Sequence, residues 1–347
     1  MNGYYGCDAH KHYSVFAMMD EQGRTGRPVR VEHTRAMFRE FLKGMPAGSP
    51  IAIESVGNWY WMIEEMERAG HSPRLTNPRK AKMMMGQINK TDKLDAGGLA
   101  MLLRNGTLPS VWIPPGALRD QRELPRMRMS LVSVRTMLKN RIHATLAKYA
   151  IDIGEVSDLF GVKGREMMGK RLEELPPFTR QSVETQLELL DEVKAHIERA
   201  EAQIGEVVET TPAMKLLMTI PGVGPILAVV IASEVGDIDR FPNPEHLASY
   251  AGTVPRIRSS GGKTSYGPVR PDVNRYLKWA LIEAANMIVL GQRHRPDDPL
   301  TRLYQRLREK KGHAKAVVAV ARHMATAIFW ILKKNEAYKA PNSSSQE

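Results

Sequence analysis

The first hundred residues alternate short apolar runs with amphipathic stretches in one particular order, and that order constrains the fold more than any other feature. Residues 3–8, Ser14–Met19 and Arg27–Val31 read as three strands. The second and third are joined by Asp20-Glu21-Gln22-Gly23, which is hairpin turn chemistry. Thr34–Leu42 has helical spacing and stops at Lys43-Gly44-Met45-Pro46. Pro50–Glu54 reads as a fourth strand, Tyr60–Ala69 as a helix closed by Gly70, and Pro73–Thr76 as a short fifth strand. A methionine-rich piece starting at Ala81–Met85 leads to a clear helix over Asp92–Arg104.

Three strands, helix, strand, helix, strand, helix is the ribonuclease-H-like order. In that arrangement the first strand, the fourth strand and a late helix converge. Acidic residues sit on those three elements. Asp8 ends the run Gly3-Tyr4-Tyr5-Gly6-Cys7, Glu54 ends Ile51-Ala52-Ile53, and Asp92 and Asp95 stand three apart in Asn89-Lys90-Thr91-Asp92-Lys93-Leu94-Asp95-Ala96. Residues three apart share a helix face. Thr91 or Asp92 is a candidate cap, and a solvated helix start explains the pair on its own. Together the four carboxylates form an oxygen-rich set suited to two hard divalent cations, Mg²⁺ or Mn²⁺. Such ions can clamp the attacking and leaving oxygens of a phosphodiester.

A chain of 347 residues is expected to hold two or three domains. Its net charge of +12 points to a polyanionic partner, with nucleic acid the usual one. The one cysteine, Cys7, excludes an internal disulfide and a cysteine-based zinc cluster. His10, His143, His313 and His323 show no zinc-ligand grouping and read as surface or phosphate-contacting residues. Residues 1–25 carry no signal pattern, and the runs Ile226–Ala232 and Met324–Leu332 are too short to span a bilayer. A cytoplasmic protein without a membrane partner is expected.

Val111-Trp112-Ile113-Pro114-Pro115-Gly116 marks a boundary. The expected domains are 1–112, 113–210 and 211–340, with a disordered tail over 341–347. After the boundary come Arg119, Arg122, Arg126, Arg128, Arg135, Lys139, Arg141 and Lys148, opposed only by Asp120 and Glu123. Leu131, Val134, Leu138, Ile142 and Leu146 form an apolar helical stripe, so the other face is basic and could track a phosphate backbone. Residues 151–180 are mixed, with a break at Pro176-Pro177. Gln181–Glu209 is helical, with Leu187, Leu190, Ile197, Ile204 and Val208 near heptad positions and acidic residues between them. That pattern predicts a coiled coil or long hairpin arm and a protein partner, for instance a second copy of the chain.

Thr219-Ile220-Pro221-Gly222-Val223-Gly224-Pro225 lies between two short apolar helices, Ala213–Met218 and Ile226–Val235, as in a helix-hairpin-helix. Gly222 and Gly224 permit a tight turn, and the N–H groups opening the next helix can hold a phosphate. An ordinary glycine-rich connection fits equally well. Farther on, Arg256-Ile257-Arg258-Ser259-Ser260-Gly261-Gly262-Lys263 sets two serines among glycines and cations. Serine needs activation to act as a nucleophile, and such a loop can equally serve as a flexible phosphate grip. Lys11, Arg256, Arg258, Lys263, Arg270 and Arg275 complete the candidate nucleic-acid contacts. A helix from Pro271 to Leu290 follows, and residues 300–334 read as helical, with an apolar stripe through Val317, Val320, Met324, Ile328 and Ile331.

These motifs together resemble the DEDD transposases of the IS-one-ten insertion-sequence family, in its IS-eleven-eleven branch. The resemblance rests on Cys7-Asp8-Ala9-His10-Lys11, Ile53-Glu54-Ser55, Lys90 through Ala96, Ile220-Pro221-Gly222-Val223-Gly224, and Tyr250-Ala251-Gly252 through Ser259-Ser260-Gly261-Gly262-Lys263. It implies a RuvC-like domain, a helical coiled-coil linker and a mainly helical C-terminal transposase domain. It also implies that Asp8, Glu54, Asp92 and Asp95 hold the metal, and that Ser260, or its neighbour Ser259, attacks DNA and forms a phosphoserine link. The partners it implies are DNA (element ends and target), a structured noncoding bridge RNA that chooses sequence by base pairing, and further copies of the chain, from dimer to tetramer. One departure stands out. Val269-Arg270-Pro271-Asp272-Val273-Asn274 replaces the family's usual glycine, cation, glycine ending, with Gly267 as the first glycine and the later one absent. A RuvC-like, metal-dependent endonuclease that uses water is the alternative function.

Overall fold

The computed structural model describes residues 3–86, 92–269 and 272–339 and divides into two compact units, Met1–Gly116 and Ala117–Glu347. The first unit runs β1 (Tyr4–Ala9), β2 (Tyr13–Met19), β3 (Val29–Glu32), α1 (Arg35–Lys43), β4 (Pro50–Glu54), α2 (Trp59–Arg68), β5 (Ser72–Thr76), α3 (Pro78–Met85), α4 (Asp92–Arg104) and β6 (Ser110–Val111). The sheet order is β3-β2-β1-β4-β5-β6. β1 pairs antiparallel with β2 and parallel with β4, and β4 pairs parallel with β5. β6 adds a two-residue antiparallel edge where only a boundary was expected.

Side-chain alternation along the strands decides which helix covers which face. Cys7, Phe16, Ile51 and Ile53 point to one side and pack with Phe38, Leu42, Met62, Ile63 and Met66 of α1 and α2. Ala52 packs against Leu99 and Leu102 of α4, and Val15 and Ala17 pack against Ala96. Residues 6, 8, 15, 17, 52 and 54 therefore share the α4 face. Gly6 lets that helix come close. A Cβ built on it would lie 2.0 Å from the Ala96 carbonyl oxygen and 2.7 Å from the Ala100 nitrogen. Thr34 caps α1 by accepting from the Met37 N–H, and Asp20 accepts from the backbone N–H groups of Gln22 and Arg24 in the β2–β3 turn.

The second unit is mostly helical: α5 (Gly116–Gln121), α6 (Glu123–Lys148), α7 (Val162–Arg171), α8 (Pro177–Val207), α9 (Pro212–Leu217), α10 (Pro225–Val235), α11 (Pro244–Tyr250), the hairpin β7 (Pro255–Ser260) and β8 (Lys263–Val269), α12 (Arg275–Leu290), α13 (Pro299–Lys311) and α14 (His313–Lys334). Pro177 occupies the first turn of α8, so the proline pair that read as a break starts the long helix. Val183, Leu190, Ile197 and Ile204 are buried at strict seven-residue spacing. The stripe of α8 is covered by α6 of the same chain, whose Leu138, Ile142 and Leu146 are buried. At one end Met168, Leu172 and Leu175 pack with Ile142, Leu146 and Val183 and cap the pair. At the other, Leu124, Met129 and Ile204 join a large core built from α9 to α14.

Residues 300–334 are two helices rather than one, because Gly312 (φ 80°) breaks the run. α14 is long and apolar enough, by length and composition, to cross a bilayer, and Val317, Val320, Met324, Ile328 and Phe329 on it are buried in the helical core. The C-terminal tail expectation at 341–347, the Thr91 cap and Arg270 lie outside the described residues.

Candidate active site

Asp8 leaves the C-terminal end of β1 on the face covered by α4 and is 8% exposed. The parallel register sets Cys7 opposite Ile53, so Asp8 and Glu54 emerge side by side from adjacent strands. The close approach at Gly6 brings the N-terminal turn of α4 over the same strand ends, and Asp92 and Asp95 stand on that turn. Burial pushes the Asp8 carboxyl above its ordinary range, His10 opposes the shift, and the negative charges of Asp95 and Asp92 add to it. Burial, with added repulsion from Asp8 and Glu54, pushes the adjacent Cys7 thiol up to about 12, so Cys7 is inert. Crowded carboxylates that repel one another are the condition a cation relieves.

His10 completes the cluster. Its Nε2 lies 3.2 Å from Asp8 Oδ2 and 3.2 Å from Asp92 Oδ2. Donor atoms of Asp8, His10 and Asp92 all fall within 4.8 Å of one another. The Tyr13 hydroxyl donates to Asp92 Oδ2 at 3.0 Å, the Tyr13 ring stacks on His10, and the Arg30 guanidinium lies over the Tyr13 ring. Asn58 donates to the His10 carbonyl at 2.8 Å and fixes the backbone there. The donor set of oxygens plus one imidazole fits a divalent cation.

In the second unit, the expected loop around the serines is a β-hairpin. Ser260 pairs with Lys263 and Ser259 with Thr264 across the turn Gly261-Gly262, whose φ values are 55° and 75°. Two successive positive φ values define a tight I′-type turn, which favours glycine at both places. Register and alternation then separate the two serines. Ser260 shares a face with Arg258, Lys263 and Ser265, whereas Ser259 shares the other with Ile257, Thr264 and Tyr266. Ser259 Oγ lies 3.4 Å from Thr264 Oγ1. All of these side chains are exposed.

Two family models match this chain. A transposase model of the DEDD type from the IS110 group covers residues 5–151, and the model described as Transposase IS116/IS110/IS902 family covers residues 214–301. The chain belongs to this transposase family. It is similar to a probable family 20 transposase of Pseudomonas aeruginosa (27% identical, covering 88% of this chain and 90% of the relative). It is also similar to the transposase for insertion sequence element IS1111A of Coxiella burnetii (26% identical, 96% and 90%) and to that for IS1328 of Yersinia enterocolitica (25%, 81% and 82%). A DEDD transposase domain implies use of a divalent metal, and the carboxylate–histidine cluster lies within that domain's match.

Several residues of this transposase that were expected to meet nucleic acid are engaged within the fold instead. Arg119 and Arg122 are each 3% exposed. Arg122 donates to the Ser233 and Glu234 carbonyls at 2.8 and 3.2 Å. Arg126 makes a bidentate pair with Glu234 at 2.7 and 3.0 Å, and Asn274, the cap of α12, donates to the same carboxylate at 2.8 Å. Arg128 pairs with Glu201 across α6 and α8. Arg122, Arg126 and Arg128 tie α6 to α8 and α10, because a buried carboxylate needs cations and a buried guanidinium needs acceptors. Arg135 and Lys139 are half-buried, and the Lys139 ammonium lies over the Phe160 ring. Lys11, Arg141, Arg256, Arg258, Lys263 and Arg275 are exposed. Gly222 (φ 84°) is needed for packing, since a Cβ there would lie 2.5 Å from the Ala284 carbonyl oxygen, while Gly224 is exposed at the cap of α10.

His10 and Tyr13 were not among the expected site residues, and His10 was expected as a surface or phosphate-contacting residue. The available signal was parity. His10 stands two residues beyond Asp8 on a strand end, and Tyr13 stands on the strand paired with it.

Proposed function

We propose that this insertion-sequence transposase cuts and rejoins DNA through a phosphoserine intermediate, with Ser260 as the nucleophile and Mg²⁺ held by Asp8, Glu54, Asp92 and Asp95. The observation that carries the reading is the gathering of Asp8, Asp92 and His10 within 4.8 Å, in a chain whose serine hairpin has a basic face. The first unit supports an RNase H-like assignment by its sheet order, with a central parallel pair and a helix delivering two acids to the strand ends. Residues 212–235 fit a helix-hairpin-helix, with the N-terminus of α10 exposed at Gly224.

The residues divide the work. Ser260 Oγ gives up its proton and forms a bond to phosphorus, the bond from phosphorus to the departing DNA oxygen breaks, and in the net reaction the serine's proton ends on that oxygen as a DNA hydroxyl. Rejoining is the reverse, with a DNA hydroxyl displacing Ser260. Arg258 and Lys263, on the serine's own face, neutralise the phosphate and lower the cost of charge building on its oxygens. When bound, the divalent cation supplies Lewis-acid polarisation of the phosphoryl group. His10 Nε2 lies between Asp8 and Asp92, 3.2 Å from each, where it would keep the two carboxylates near the cation. Ser259 is directed to Thr264 and serves the hairpin. The bridge RNA and assembly beyond one chain belong to the same proposal through the family resemblance.

The test is a denaturing gel of protein incubated with element-end DNA, the flanking noncoding RNA and Mg²⁺. A protease-sensitive protein–DNA band that Ser260→Ala abolishes supports the reading. Cut DNA with no such band assigns the chemistry to water and the carboxylates.

A further inference from the structure

The charge of this chain is unevenly placed. α8 carries seven acidic residues against three Lys and Arg, whereas 299–334, spanning α13 and α14, holds nine Lys and Arg against the single acid Glu309. Arg302, Arg306 and Lys310 recur every four residues on α13, so they share one face, and all three are exposed. On α14, Arg322 and His323 face a groove with Ala319 and Thr326. Farther along, His323 and Thr326 line a second concavity with Trp330 and Lys334. Trp330 is 46% exposed, and the Lys334 ammonium lies over its ring at 5.2 Å. The His323 imidazole is held below its ordinary value first by burial and then by the positive charges of Arg322 and of Arg306 from the neighbouring helix.

We propose that the α13–α14 face is a second DNA-backbone surface of the transposase, separate from the serine hairpin. Lys333 pairs with Asp239 and Glu336 lines the concavity beside Lys334, but the cations from Arg302 to Arg322 have only Glu309 among them in sequence, so they repel one another, and a row of phosphates turns that repulsion into attraction. The face follows two packed helices and ends on an exposed tryptophan, which makes it an extended strip rather than a single-anion pocket. DNA is the occupant because the chain belongs to a DNA transposase family. The inference rests on that membership and is independent of the serine intermediate.

The experiment is the salt dependence of binding to a short mixed-sequence DNA duplex, read by fluorescence anisotropy without divalent metal, so that no strand is cut. Each lost phosphate contact lowers the slope of log K against log salt by about 0.9, so Arg306→Gln/Arg322→Gln is expected to lower it by about 2 and to weaken binding at low salt. Thermal unfolding checks that the variant is folded. Lys315, exposed on α14 four and seven residues before Ala319 and Arg322, shares their side of the helix, so Lys310→Gln/Lys315→Gln tests the same face independently and should lower the slope comparably. A wild-type slope in both folded variants overturns the proposal. So does a change seen with a single-stranded or hairpin RNA probe but not with the duplex. Loss of adduct formation alone, with the duplex slopes altered as expected, bears on the serine reading and leaves this surface standing.

Discussion

Gly6 on β1 lies directly beneath the carbonyl of Ala96 on α4, so close that a methyl group at Gly6 would sit 2.0 Å from that oxygen. This contact brings the helix carrying Asp92 and Asp95 down to the strand end carrying Asp8. The obstacle is backbone, which cannot swing aside as a side chain can. Gly6→Ala is therefore expected to cost at least the ~1–3 kcal/mol typical of overpacking and to weaken divalent-metal binding in the protein that still folds. Thermal unfolding and Mn²⁺ titration check both effects. Wild-type values in both would show that the helix position does not depend on this contact.

Within the carboxylate centre, His10 bridges two acids. Removing it as His10→Ala frees Asp8 and Asp92 to separate and should weaken Mn²⁺ affinity about 10–100-fold, the usual effect of removing a group that orients metal ligands. Asp8→Asn should weaken it at least as much. Both are read by isothermal titration or by the Mn²⁺ electron paramagnetic resonance signal. Unchanged affinity in His10→Ala would mean the imidazole is a bystander.

Glu234, 1% exposed, is the acceptor shared by Arg126 and Asn274, with Arg122 beside it at 3.7 Å. Its removal in Glu234→Ala strands buried guanidinium charge and should cost about 3–5 kcal/mol. Urea unfolding measures this. A loss below about 1 kcal/mol would place the arginines in solvent rather than in the helical core.

Glu65 on α2 is 1% exposed and is gripped by Arg39, Arg35 and Arg68. The hydrogen bonds from Arg39 are the largest influence holding its carboxyl down to about 2, against an ordinary value of 4.5. A carboxyl lowered in the folded state adds stability that is fully present above the unfolded value and is lost as pH falls from there toward about 2. Glu65→Gln should flatten that acid limb of stability against pH while leaving Arg35, Arg39 and Arg68, each about half exposed, still soluble. An unchanged limb would assign acid sensitivity to other carboxylates.

Legibility followed the range of the interactions. The strands and the helices α1, α2 and α4 of the first unit could be read because their apolar residues keep period two or period 3.6, whereas α3 had read only as a methionine-rich piece. The seven-residue stripe of α8 was equally plain, but its partner was not, since a stripe does not say whether it is covered by another chain or by α6. The basic run misled. Arg126 meets Glu234 across 108 residues of sequence, and charge alone does not distinguish a solvated cation from a buried one. The serine hairpin read as a loop because its strands are exposed on both faces and hold few apolar residues besides Ile257 and Tyr266, so no alternation marks them. Once paired, however, they separate Ser259 from Ser260, a choice that spacing left open. His10 was read as a surface or phosphate-contacting residue because its two-residue offset from Asp8 does not by itself mark a ligand, and only the fold brings Asp92 to its ring nitrogen.

The most direct test of the account is the covalent adduct itself, measured with Ser260→Ala and Ser259→Ala side by side on element-end DNA with its noncoding RNA and Mg²⁺. The prediction is a protein–DNA band in wild type and in Ser259→Ala and none in Ser260→Ala, with DNA binding retained in all three. A band that persists in Ser260→Ala would contradict the assignment of the nucleophile. One that persists in both variants would contradict serine chemistry altogether.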